Sequence, residues 1–247
     1  KVRSPKPQDD IILLPSYKDA VLMEMLNLGC LAGQALQDAE RIKKEKHMTT
    51  RTAPSKDMLT RAQQLLERGK VVIPFPTQTL VPPVVDGWQK FWEESEDYKQ
   101  LFTVDFEKQG DPDDGYIAKD GRLRDDGIYD DRKQIFHYRP RLIKELRTRA
   151  MRGVPLPDTR YNEWLLLHCP SLYSECVVTI KRYADALDAV CPGFSFYDRI
   201  SVAHADDTHV LRLLAYDKDS ARGKGHKDKN FLTIHIAESH PGLRTGD

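Results

Sequence analysis

At two places the chain sets an aspartate two residues after a histidine: His226-Lys227-Asp228 and His204-Ala205-Asp206. On an extended strand, residues i and i+2 point to the same side, so an imidazole and a carboxylate at this spacing can grip one metal ion. The spacing alone is a weak signal in a chain with eight histidines and 38 acidic residues, and the surroundings separate the two pairs. Ahead of His226 runs V-L-R-L-L-A-Y at residues 210–216, which reads as a strand with Arg212, Leu214 and Tyr216 on one face. If that face turns toward the ion, a guanidinium and a phenol stand beside it, suited to an anionic co-ligand. His204 instead falls in A-H-A-D-D-T-H, which reads as a polar turn with no strand before it. The preferred metal pair is therefore His226 and Asp228. His235 lies at the opposite parity and is expected to point away from the ion, while His47, His137, His168, His209 and His240 read as surface or satisfied core groups. Lys224 and Lys227 read as solvated loop charges.

The rest of the chain must position this corner. Its 247 residues, 40% of them hydrophobic, suit one large domain or two small ones and bury a core without covalent staples. Basic and acidic residues balance at 38 each, which gives no electrostatic footprint for nucleic acid or an anionic membrane. No apolar run approaches the ~20 residues of a membrane span, and K-V-R-S-P-K-P-Q-D-D has no signal-peptide core. The four cysteines show no C-x-x-C spacing, and Cys169 and Cys176 share a helix face. Reduced, buried thiols and a cytoplasmic location are expected.

Residues 1–16 read as a polar arm and 17–46 as an amphipathic packing helix, so residues 1–60 form a helical arm ahead of the main domain at 61–247. A helix is predicted from the N-cap Ser55 to Gly69, then a strand at K-V-V-I-P-F-P. Next comes one helix over D-G-W-Q-K-F-W-E-E-S-E-D-Y-K-Q-L-F, with Trp88, Phe91, Trp92 and Leu101 facing the core. Residues 105–140 read as loop-rich, and their aspartates lack the spacing of a calcium loop. A long helical segment spans 161–190 with Pro170 at a break, ended by Cys191-Pro192-Gly193. The fold class is α+β, with helices before a strand-rich end.

The segments R-L-L-A-Y-D, H-K-D-K-N-F-L-T-I-H and P-G-L-R, in that order, resemble the R/K-x-N-Y-Y-P, H-T-D-x-x-x-L-T-x-L and P/G-G-L-Q motifs of the iron(II)- and 2-oxoglutarate-dependent dioxygenases, in the branch of isopenicillin N synthase and the plant flavonoid oxygenases. K-V-V-I-P-F-P, the helix after it and G-Y-I-A…D-D-R-K-Q-I-F-H-Y resemble upstream segments of the same branch. The likeness covers residues 60–247 and is strongest at the end. It implies a double-stranded β-helix (jelly roll) flanked by helices. It also implies Fe(II) held by two histidines and a carboxylate, with 2-oxoglutarate as co-substrate, O2, and a small-molecule substrate that is hydroxylated or oxidised. His226 and Asp228 then match the first histidine and the carboxylate, Tyr216 matches the tyrosine that holds 2-oxoglutarate, and Arg212 the basic residue that opens that strand.

Leu214 and Ala215 replace the family's Asn and first Tyr, and Tyr216-Asp217 replaces Y-P. A second histidine in H-x-V and an R-x-S are expected beyond residue 247. Two alternatives stay open: an isopenicillin N synthase-like iron oxidase that needs no 2-oxoglutarate, and an inactive jelly-roll binding protein. A plain hairpin with ordinary polar residues is the simplest account of the last forty residues. Tyr116, Arg122 and Arg124 are candidates for the entrance, and nothing in the sequence names the substrate.

Overall fold

The computed structural model describes residues 10–15, 53–104, 114–120, 132–152, 159–205, 208–216 and 232–238. The predicted helix at 17–46 lies outside them. Helix α1 (Lys56–Arg68) starts and stops where its caps dictate. The Ser55 hydroxyl accepts from Met58 N at 3.2 Å, and Gly69, at φ 71°, closes the last turn through its N–H on Leu65 O. Two further strands flank this region in space: β1 (Asp10–Pro15) and, directly after α1, β2 (Val71–Pro74).

The sequence predicts a single aromatic helix over residues 86–102; the structure makes two. Helix α2 (Val81–Trp92) begins earlier, with prolines in its first turn, where a missing N–H costs nothing. Ser95 then caps a new short helix, α3 (Glu96–Gln100), by accepting from Tyr98 N at 3.3 Å. The break rotates the chain. Trp88 and Phe91 are buried as expected, but Leu101 is 45% exposed and Phe102 takes its place inside.

The stretch read as loop-rich contains β3 (Gly115–Asp120) and β4 (Arg132–Tyr138), followed by α4 (Pro140–Met151). The long helical segment is present. A π-helical turn at Trp164–His168 leads into α5 (Cys169–Val190). Pro170 supplies the reason: its ring crowds the carbonyl of a regular α turn and it has no N–H to donate, so the turn widens. Asp188 near the end of α5 then starts α6 (Phe196–Ala205), its two carboxylate oxygens accepting from Phe196 N at 2.6 Å and Tyr197 N at 3.1 Å.

Among the described residues the strands form two antiparallel three-stranded sheets, β2-β1-β6 and β3-β4-β5, with β5 at Leu211–Tyr216 and β6 at Leu232–His235. β1 belongs to the stretch read as a polar arm, yet it is the central strand of its sheet, with Ile11 opposite Ile73 and Leu13 opposite Ile234. The plain-hairpin account of the chain's end is overturned here. β5 pairs with β4 and β6 pairs with β1, in different sheets. A long connection adds little closure cost, so strands far apart in the sequence can pair.

One apolar core joins these elements. Phe91 sits at its centre, edge-on to Phe102 at 5.0 Å, Phe136 at 5.3 Å and Tyr161 at 5.4 Å between ring centroids. Gly87 lets α2 approach the Trp164 ring, whose Nε1 donates to Val84 O at 3.0 Å. Cys169, Cys176 and Cys191 are free thiols, with Cys169 fully buried. Among the described residues no helix is long and apolar enough to cross a membrane.

Candidate functional site

The sheet β3-β4-β5 has two unlike faces, and the strand register decides which residues share them. Tyr116, Phe136, Tyr138 and Leu211 occupy one face and are buried against Trp88, Phe91, Trp164 and their neighbours. On the other face, Ile117 pairs with Ile135 and Ile135 with Leu214, flanked by His137 opposite Arg212 and Lys133 opposite Tyr216. Ile117 and Ile135 are buried, but they do not belong to the helix-side core. Leu214 is 40% exposed, Tyr216 51% exposed, and Arg212 exposed. The alternation along β5 thus holds as predicted: Arg212, Leu214 and Tyr216 share one face, and it is the face turned away from the helices. Trp88 pins this strand from behind, its Nε1 donating to Leu214 O at 3.3 Å.

His137 joins this face. Arg212 Nε donates to His137 Nε2 at 3.0 Å, directly across the strand pair. Sequence reasoning groups His137 with surface or core histidines. The signal that finds it is the alternation of R-K-Q-I-F-H-Y, read in register with L-R-L-L-A-Y.

His226 and Asp228 lie outside the described residues, as do Arg122, Arg124 and Asp206. His235 is on β6, at the parity opposite to the core-packing Leu232 and Ile234, with Nε2 buried 3.6 Å from Glu238 Oε2. His204 is not in a turn. It occupies the last turn of α6, its ring 5.9 Å from that of His209 and 6.2 Å from Tyr173. Phe196 and Ile200, one helical turn apart, bury the face of α6 that packs on the core. Tyr116 is not an entrance residue either. It is 1% exposed on the helix side, its hydroxyl donating to Glu96 Oε2 at 2.9 Å. Among the described residues no three His, Cys, Asp or Glu side chains converge as a metal site.

Two polar clusters brace the helix side of the sheet. Lys99, 4% exposed, donates to Gln134 Oε1 at 2.9 Å and Trp92 O at 3.4 Å and lies 3.3 Å from Glu96. Partial burial pushes the Glu96 carboxyl up. Hydrogen bonds from Gln100, Tyr116 and Lys99, with the Lys99 charge, together outweigh it and hold the carboxyl below its usual range. The second cluster is fully buried Asp114, which takes Arg139 on one oxygen and Arg141 Nε, at 2.6 Å, on the other. Beside it Gly115, at φ 73°, turns the chain where a Cβ would meet Phe102 O. These groups tie β3 to α3 and α4 through structural partners.

Comparison with protein-family models, with characterised proteins and with solved structures finds no match for this chain.

Proposed function

We propose that the protein is an iron(II)- and 2-oxoglutarate-dependent oxygenase acting on a small organic molecule, built on a double-stranded β-helix. The observation that carries this reading is the open face of β3-β4-β5. An exposed guanidinium and an exposed phenol, Arg212 and Tyr216, stand on it at the positions the motif resemblance assigns to co-substrate binding. Two further observations support it. Ile117 and Ile135 are buried on that face outside the helical core, so it is covered at β3 and β4 and open along β5. The strands on either side of the His-x-Asp segment go to separate sheets, which a two-sheet barrel needs and a hairpin does not.

The donor set suits the cofactor. An imidazole and a carboxylate, His226 and Asp228, are ligands that iron(II) accepts. Arg212 has no carboxylate partner among the described residues and so suits an anionic co-substrate. Iron(II), with 2-oxoglutarate and O2, would supply the oxidising power for attack on a C–H bond. This chain's part is to bind and orient. Arg212 and Tyr216 are four residues apart on one strand face, about 13 Å between Cα atoms. Both project from the same face, with Leu214 between them. Trp88, Phe91 and Trp164 pack against the opposite face of the sheet.

One observation favours the second reading, an iron oxidase without 2-oxoglutarate. Leu214, between Arg212 and Tyr216, gives the face an apolar centre where the family pattern has an amide. Anaerobic addition of iron(II) and then 2-oxoglutarate separates the two. A visible charge-transfer band on adding 2-oxoglutarate is expected, and binding of iron with no such band turns the reading to the oxidase. His226→Ala or Asp228→Ala should abolish iron binding in a folded protein. If His204→Ala did so instead, the metal assignment is wrong.

A further inference from the structure

We infer that His137 is the positioning residue that aims Arg212 at a carboxylate of 2-oxoglutarate; this rests on the co-substrate reading above. Arg212 on β5 and His137 on β4 are directly opposite and share the open face. The bond between them runs from Arg212 Nε to His137 Nε2 at 3.0 Å. A guanidinium has no acceptor, so the imidazole must accept, and its proton must sit on Nδ1. That is the opposite of the tautomer a free histidine side chain prefers.

The choice of nitrogen matters for what Arg212 can do next. A guanidinium grips a carboxylate either side-on, through Nε and one terminal nitrogen, or end-on, through both terminal nitrogens. With Nε engaged by His137, the end-on edge is the one presented. Exposure of Arg212 leaves that edge open to ligand, and no carboxylate pairs with it among the described residues. Fixing the plane of a long, flexible side chain before the ligand arrives removes much of the ordering cost of binding. Lys133, opposite Tyr216, shares this face with Arg212.

Two measurements test this. The first needs no ligand: nitrogen NMR of 15N-histidine-labelled protein at pH 8. A protonated Nδ1 and an unprotonated, hydrogen-bonded Nε2 are expected for His137, with the resonance assigned by its loss in His137→Gln. A protonated Nε2 overturns the inference. The second measures anaerobic 2-oxoglutarate binding by the iron(II)-loaded protein. His137→Leu should weaken it about tenfold, the scale of one lost charge-assisted bond. His137→Gln, whose amide oxygen can still accept from Arg212, should restore most of it, and Arg212→Ala should weaken it at least as much as His137→Leu. Binding that His137→Leu leaves unchanged while Arg212→Ala abolishes it overturns the positioning role and leaves the co-substrate reading standing. Unchanged binding in Arg212→Ala overturns the assignment of Arg212 to the co-substrate. Wild-type protein that binds iron but no 2-oxoglutarate overturns the reading itself, and the tautomer still decides whether His137 holds Arg212.

Discussion

Replacing Gly87 by alanine sets two effects of known size against each other. Gly87 lies inside α2, where glycine is less favourable than alanine by about 1 kcal/mol, so on helix propensity alone the change stabilises. The site says otherwise. A Cβ built there falls 2.1 Å from Trp164 Cδ1, 2.5 Å from Cγ and 2.6 Å from Nε1. Ordinary carbon contacts sit at about 3.5–4.0 Å, so roughly 1.5 Å of separation must be found. Trp164 cannot swing away cheaply. Its Nε1 is bonded to Val84 O at 3.0 Å, and its ring packs on Phe136 at 5.0 Å, Phe91 at 5.4 Å and Tyr161 at 6.0 Å. Helix and ring must therefore separate, with the usual overpacking cost of about 1–3 kcal/mol. The indole–carbonyl bond, worth about 1 kcal/mol, is stretched as well. The steric side wins, and Gly87→Ala should destabilise by about 1–3 kcal/mol. Equilibrium urea unfolding followed by tryptophan fluorescence measures this as a lower midpoint at unchanged slope. A variant as stable as the parent, or more stable by the propensity increment, would refute the close approach of α2 to Trp164.

Two further outcomes follow from the buried polar groups. Asp114→Asn leaves Arg139 and Arg141 facing each other without a countercharge. It should cost about 3 kcal/mol in urea unfolding, the lower end for a broken buried ion pair because Arg141 is partly exposed; a loss below about 1 kcal/mol would mean that solvent screens the cluster. Burial pushes the Cys176 thiol, further raised by Glu175, and the Tyr183 phenol up to about 12 each, and burial raises Cys169 and Tyr161 as well. Folded-state values above the unfolded ones of about 8.5 for a thiol and 10 for a phenol mean that the unfolded chain loses these protons first. Their contribution is then fully present below pH ~8.5 and is lost as pH rises toward 12. Urea midpoints under reductant should hold level up to about pH 8.5 and fall beyond it; a level profile to pH 10.5 would show these groups to be solvated.

Local chemistry determined much of this protein from the sequence alone. Ser55 and Gly69 bound α1 because capping is a matter of a few adjacent residues, and the same holds for the end of α5 at Cys191-Pro192-Gly193. The common face of Arg212, Leu214 and Tyr216 follows from the two-residue period of a strand. What the sequence could not decide depends on partners far away along the chain. Ser95 caps a new helix locally, but that Phe102 rather than Leu101 then faces inward is decided by packing on Phe91. β5 and β6 part into different sheets, and β1 enters the centre of one of them, through pairings between strands far apart in the sequence. His137 comes to stand against Arg212 only through the register of β4 on β5, a relation between residues 75 apart. Spacing put the guanidinium on a face; tertiary structure chose which way that face looks and which imidazole holds it.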